Sequence, residues 1–161
     1  KIGASKVNLL GGYSYINPVS LDRFSSFITD AGGNEMNYVN SSSADSINVL
    51  KYRHEHTAKF DIELINNKIS QGLSLRYNSF MKNEDKIFTT DLFAEIVPGV
   101  NESRLENLTG DIIIDYRFAY SINNNMSLSV IVNNVLNKLY QSRPCSMMPM
   151  RNINFQFKIK I

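Results

Sequence analysis

The chain has 161 residues, 43% of them hydrophobic and 11% aromatic, with a formal charge of +2 and one cysteine. That length suits one domain, the near-balanced charge offers no basic patch for nucleic acid, and the lone thiol of Cys145 cannot build a disulfide framework. No run of about 18 apolar residues occurs, which excludes a membrane-crossing helix but not a membrane-crossing β-barrel, whose strands are only half apolar.

Six segments alternate apolar and polar residues with the period of a strand. Val7 to Ile16 sets Val7, Leu9, Gly11, Tyr13 and Tyr15 against Asn8, Gly12 and Ser14. Ala58 to Leu64 sets Ala58, Phe60, Ile62 and Leu64 against Lys59, Asp61 and Glu63. Ile69 to Tyr77 opposes Ile69, Leu73, Leu75 and Tyr77 to Ser70, Gly72, Ser74 and Arg76. Asp111 to Tyr120 opposes Ile112, Ile114, Tyr116, Phe118 and Tyr120 to Asp111, Asp115 and Arg117. Met126 to Asn133 opposes Met126, Leu128, Val130 and Val132 to Ser127, Ser129 and Asn133. The pattern is most regular from Arg151 to Ile161, where Ile153, Phe155, Phe157, Ile159 and Ile161 face one way and Asn152, Asn154, Gln156, Lys158 and Lys160 the other. Its length matches the ~9–11 residues of a membrane-crossing strand.

The connections alternate between short and long. Ile65 to Lys68 and Ser121 to Asn125 are tight and Asn-rich, and Asn accepts left-handed backbone at little cost. Asn17 to Glu55 and Met81 to Gly110 are long and rich in Ser, Asn, Asp and Gly. Short periplasmic turns alternating with long extracellular loops are the habit of outer-membrane barrels. The expected topology therefore runs Val7–Ile16 outward, Ala58–Leu64 inward, and so on, with Ile161 at the periplasmic end. Antiparallel sandwiches also alternate apolar and polar faces. Here, however, the polar faces carry Gly, Ser and Asn, as a crowded lumen would, and the long loops all fall at one end. The reading is an all-β, antiparallel transmembrane β-barrel segment. No charged-then-apolar leader follows Lys1, so any signal peptide is expected to have been removed or to lie upstream.

The run Val130-Ile131-Val132-Asn133-Asn134-Val135-Leu136-Asn137-Lys138-Leu139-Tyr140 resembles the end of TonB-dependent outer-membrane receptors, whose penultimate strand closes on an Asn-Leu-Phe-Asn/Asp-Lys-x-Tyr signature. Arg143-Pro144 and Pro149-Met150-Arg151 resemble the Arg-Pro and Pro-Arg pair flanking that family's final loop. Tyr52 to Ala58 is similar to the Pro-Arg-His-x-Ala stretch that opens a late inward strand. Arg76 to Ser79, Asp85 to Phe88, Pro98-Gly99, Arg104 and Gly110-Asp111 fit the family's next hairpin. Each motif is weak alone, and the ordered set covers nearly the whole chain. Val135-Leu136 replaces the usual Leu-Phe, Leu139 stands where Glu is common, and Ile161 stands where the family ends in Phe.

The resemblance implies the last six strands of a barrel of about 22 strands, in a fragment without the plug domain or the segment that contacts TonB. It implies an outer-membrane location and uptake of a scarce ligand, which could be an iron chelate, haem, cobalamin, a glycan or a peptide. Implied partners are the rest of the barrel and its plug, TonB through a segment outside this chain, outer-membrane lipid and lipopolysaccharide, and a surface lipoprotein. Alternatives are an adhesin or export-machinery barrel without transport, and a soluble carbohydrate-binding sandwich.

Ligand capture is expected from the loops. Phe24, Phe27 and Tyr38 in the first, Phe88, Phe93 and Glu95 in the second, and Tyr140 and Arg143 in the third are the candidates, with loop–loop packing as the plainer role. Lys59, Asp61, Glu63, Arg76, Asp115 and Arg117 are expected on the lumen side as wall-to-wall or wall-to-plug pairs. No nucleophile or oxyanion donor accompanies those carboxylates, so no enzymatic role is expected, nor any cofactor. His54 and His56 could share a metal, but two ligands without a third read more simply as a rim feature. Cys145, Met147 and Met148 could offer soft sulfur to Cu(I), with packing the simpler role.

Overall fold

The computed structural model describes residues 5–160. Strand β1 spans Lys6–Tyr15, and the first loop carries a small hairpin of β2 (Ile28–Thr29) and β3 (Glu35–Met36). Strands β4 (His56–Asn66) and β5 (Ile69–Asn78) follow, then a loop with a 3-10 turn at Lys86–Thr89 and two short helices, α1 (Asp91–Ile96) and α2 (Val100–Glu106). Next come β6 (Asp111–Ser121), β7 (Met126–Asn133), a second small hairpin of β8 (Gln141–Arg143) and β9 (Ser146–Met147), and β10 (Asn152–Ile159). The six long strands form one antiparallel sheet in the order β1-β4-β5-β6-β7-β10, as the alternation predicts. Strand ends fall within two residues of the expected ones, and Ile161 lies outside the described residues. Both small hairpins and both helices are additions to what the sequence reading placed in the loops. The helices are only six and seven residues long. The first is started by Thr90, whose hydroxyl accepts from Phe93 N at 3.3 Å.

The register makes the two-faced pattern continuous across all six strands. Leu9 pairs with Ile62, Ile62 with Leu73, Leu73 with Tyr116, Tyr116 with Val132 and Val132 with Ile153, so one row of apolar side chains crosses the sheet. A one-residue slip at any pair would break that row. Gln71 is the polar exception on this face, and it accepts the Tyr116 hydroxyl at 3.1 Å. On the other face Lys59 pairs with Arg76, Asp61 with Ser74 and Glu63 with Gly72. Among the described residues no helix or second sheet covers the apolar face, and Phe155 is 76% exposed and Leu9 64%. The face-to-face sheets that a sandwich requires are not formed by these residues. Among the described residues no helix is long and apolar enough to cross a membrane.

The short turns lie together at one end. Asn67 takes φ 49° in the β4–β5 turn, and Asn123 Oδ1 accepts Asn125 N at 2.9 Å in the β6–β7 turn. The three long loops lie at the other end. Loop three begins with two asparagines in left-handed backbone, Asn134 at φ 51° and Asn137 at φ 53°. Asn134 is 2% exposed, and its side chain donates to Lys138 O at 2.8 Å and accepts from Lys138 N at 2.9 Å. Asn137 Oδ1 accepts Arg151 N at 2.9 Å, which ties the loop's exit to its entrance. Asn is among the few residues that tolerate this backbone, which gives the Asn-Val-Leu-Asn-Lys run a structural reason. Gly110 is required for a different reason. It sits at φ 85°, and a Cβ there would lie 2.3 Å from Asn78 O.

Candidate functional site

Two polar regions are built onto this frame. The first is the charged ladder on the polar face of the sheet. Arg76 reaches Asp115 at 3.0 Å, and Asp115 also accepts Asn134 N at 2.8 Å. Arg117 lies across Gly72, where a Cβ would sit 3.1 Å from the guanidinium, and reaches Asp61 at 3.5 Å. Asp61 also accepts the Ser74 hydroxyl, while Glu63 takes Asn8 at 2.9 Å and Ser70 at 3.0 Å. Five of the six expected wall charges thus find polar partners within the wall, the Arg117–Asp61 pair reaching across β5 from β6 to β4. Lys59 is exposed and makes no ion pair among the described residues. Ile113 and Ile131 break the polarity of this face, and Ile113 is 1% exposed.

The second region is a polar junction that locks loop one to loop two. Asn83 is fully buried at its centre and donates to Val49 O at 2.7 Å and the Tyr38 hydroxyl at 3.2 Å. Its Oδ1 accepts Ala44 N at 3.2 Å, and its carbonyl accepts Tyr52 N at 2.9 Å. Ser43 N donates to Glu84 O, and Lys86 N to Ser41 O, each at 2.9 Å. Lys51 holds Asp85 at 2.7 Å, and the Tyr52 hydroxyl donates to the same carboxylate. Burial pushes Asp85 up, but these hydrogen bonds and the Lys51 charge outweigh it and leave its carboxyl below the usual range. Burial raises the Tyr38 and Tyr52 hydroxyls, and hydrogen bonding to Asp85 adds to the effect on Tyr52.

A small cleft, partly open to solvent, lies beside this junction and is lined from all three loops. His54, Phe80, Glu84, Arg104, Asp111 and Arg143 line it. Glu84 and Arg104 pair at 3.1 Å, with the guanidinium 4.5 Å from the centre of the Phe80 ring. Burial raises the Glu84 carboxyl, and Arg104 offsets this only in part. Lys138 anchors loop three to the cleft wall, reaching Gly110 O at 3.1 Å and Asp111 at 3.2 Å.

The sequence-derived loop candidates do not gather in one place. Tyr38 is inside the junction, donating to Val49 O at 2.7 Å with Lys51 over its ring at 5.2 Å. Phe88 and Phe93 pack edge to face at 4.9 Å, and Tyr140 is buried. Phe24, Phe27 and Glu95 are exposed, with the Arg23 guanidinium 5.5 Å from the Phe24 ring centre. Arg143 alone of these candidates lines the cleft. His54 and His56 hold different partners: His54 Nδ1 is 2.5 Å from Ser79 O, and His56 Nδ1 is 2.7 Å from the Tyr13 hydroxyl. Cys145 is exposed at the tip of the β8–β9 hairpin, at φ 61°. The sequence reading did not single out Glu84, whose neighbours carry no pattern that would mark it. Arg104 entered it only through the family resemblance, and Asp111 also as a polar-face residue of its strand.

No family model matches the chain, and no curated protein matches it. Among solved structures it is similar to the closed form of the ferric-catecholate import receptor Fiu from E. coli K12, with a TM-score of 0.64 and 17% identity. The match covers 95% of this chain and 18% of that one, so the chain spans less than a fifth of the receptor it resembles. The likeness is one of fold, and it extends over nearly every described element.

Proposed function

We propose that the chain is a wall segment, with its extracellular loops, of a TonB-dependent outer-membrane receptor that takes up a scarce ligand. The observation that carries this reading is the uncovered apolar face, continuous across all six strands, with every long loop at one end of the sheet. A soluble protein rarely leaves so large an apolar surface bare, whereas lipid covers it without cost. The dimensions agree. The 11 residues of β4 span roughly 36 Å, or about 28 Å along the membrane normal at a ~40° tilt, close to the ~25 Å apolar band of such barrels.

The outer edges of β1 and β10 have no strand partner among the described residues. Backbone groups left unpaired in hydrocarbon cost several kcal/mol each. The missing partners are the remaining strands of the same barrel, within which the plug sits against the polar face. Likeness to an import receptor for ferric catecholates makes a ferric chelate the first ligand to try. Capture by the loops, closure by the plug and release driven through TonB need no bond chemistry from this chain.

The test is growth under iron restriction with a ferric catechol chelate as sole iron source, in cells lacking the full-length protein. Growth should fail in those cells and return with the wild-type protein, but not with one whose TonB-contacting segment is deleted. Equal growth on every available ferric chelate, haem and cobalamin, with and without the protein, would refute transport of these ligands.

A further inference from the structure

The chain's positive charge is gathered toward its end. From Tyr116 to Ile161 it carries six basic residues, Arg117, Lys138, Arg143, Arg151, Lys158 and Lys160, and no aspartate or glutamate. Arg117 and Lys138 are answered by carboxylates from earlier in the chain, Asp61 at 3.5 Å and Asp111 at 3.2 Å. Lys158 and Lys160 are exposed and make no ion pair among the described residues. Both continue the parity of Asn154 and Gln156 and so stand on the polar face. Lys160 N donates to Asn125 O at 2.8 Å, which carries the β7–β10 register past Ile159. The neighbouring strand offers them no acid, since Lys158 pairs with Ser127 and Gln156 with Ser129.

The two lysines border a shallow polar hollow whose other walls are Ser121, Ser127 and the Asn123–Asn125 turn. Short side chains leave it room, and ammonium and amide groups make it rich in donors. It lies on the β7 side of β10, away from that strand's open edge, so its occupant rests on the face of the sheet and does not extend it. Lys158 lies roughly 6 Å and Lys160 roughly 11 Å on the turn side of the β10 midpoint, both within the ~25 Å apolar band. On the lumen side at that depth the wall itself separates Lys158 from lipid phosphates. Ammonium groups covered there without an anion would carry a desolvation penalty of several kcal/mol. A ligand caught by the loops would arrive from the far end of the sheet, whereas most of a receptor like the one matched lies outside this chain and can supply acidic residues directly.

We propose that Lys158 and Lys160 hold an acidic segment of the protein's own polypeptide, from outside residues 1–161, against the turn end of the lumen wall. This latch deepens the receptor reading and rests on it, for it names the place and the charge by which the plug is held to the closing part of the sheet.

The test is zero-length carbodiimide coupling of the full-length protein in lipid vesicles, which joins an ammonium to a carboxylate only where the two touch, followed by peptide mapping. Lys82 and Glu55, 2.6 Å apart, are the internal control. Lys158 or Lys160 should be joined to an aspartate or glutamate outside residues 1–161, in a segment that is not a wall strand, and high salt should lower the yield. K158Q/K160Q should keep its heat-modifiable mobility but render that segment several-fold more sensitive to protease, and K158R/K160R should restore its protection. Coupling of the control pair but of neither lysine, or coupling only to a neighbouring strand or to another protein, would overturn the latch and leave the receptor reading in place. Coupling as expected in a protein that supports no uptake would instead overturn the receptor reading and leave the latch standing.

Discussion

The assignment of faces makes its sharpest prediction on β10. That strand spans Asn152–Ile159, so its midpoint falls between Phe155 and Gln156. At ~3.3 Å per residue and a ~40° tilt, successive residues advance roughly 2.5 Å along the membrane normal, which places both within about 2 Å of the bilayer midplane. Phe155 shares the apolar face with Val130, and Gln156 shares the polar face with Ser129. Phe155→Arg should therefore cost the full ~2–4 kcal/mol of a cation facing lipid at the midplane. Phe157→Arg, two residues nearer the turn end, should cost somewhat less. Gln156→Arg, next to Phe155 but facing the lumen, should cost under about 1 kcal/mol. The assay is urea-dependent folding of the full-length protein into lipid vesicles, read by protease resistance and heat-modifiable gel mobility. Equal costs for Phe155→Arg and Gln156→Arg, or a larger one for Gln156→Arg, would refute the parity and with it the lipid-facing assignment.

Three further outcomes follow from the loops. Asn83→Ala leaves Val49 O, Ala44 N and the Tyr38 hydroxyl without the side-chain amide that joins them, at about 1–3 kcal/mol, and should speed amide exchange across Tyr38–Leu50 while leaving the strands protected. Asp85 has its folded-state pKa held below the usual 3.8, so it stabilises the junction above that value and ceases to do so as pH falls through the lower, folded value. Exchange in Ser41–Ser43 should accordingly accelerate on acidification below pH 3.8 in the wild type, and Asp85→Asn should remove that contribution. Gly110→Ala combines a left-handed backbone with a 2.3 Å approach to Asn78 O, and should lower folded yield with at least the ~1–2 kcal/mol of the backbone term alone.

The sheet was legible in the sequence because a strand's period of two writes burial directly into alternation. Ile153, Phe155, Phe157 and Ile159 needed no tertiary information to be placed on one face. The exceptions needed it. Gln71 sits on the apolar face because Tyr116 on the neighbouring strand satisfies it at 3.1 Å, and Ile113, on the polar face, is 1% exposed and so buried despite its parity. Helices of six and seven residues are too short to show a periodic face, so the second loop read as irregular. Sequence alone makes Tyr38 a candidate for ligand contact, yet its role depends on Asn83 and Val49, far from it in sequence. The cleft was hidden for the same reason. Its walls come from His54, Glu84, Asp111 and Arg143, which only the hairpin order brings together.

The central claim, a membrane wall with its long loops outside, is tested most directly by the protein's own Cys145, which is exposed on loop three. A membrane-impermeant maleimide should label it on intact cells producing the full-length protein. In a Cys145→Ser background, Asn124→Cys in the β6–β7 turn should stay unlabelled until the outer membrane is opened. Labelling of Asn124→Cys on intact cells, or of Cys145 only after opening, would contradict the account.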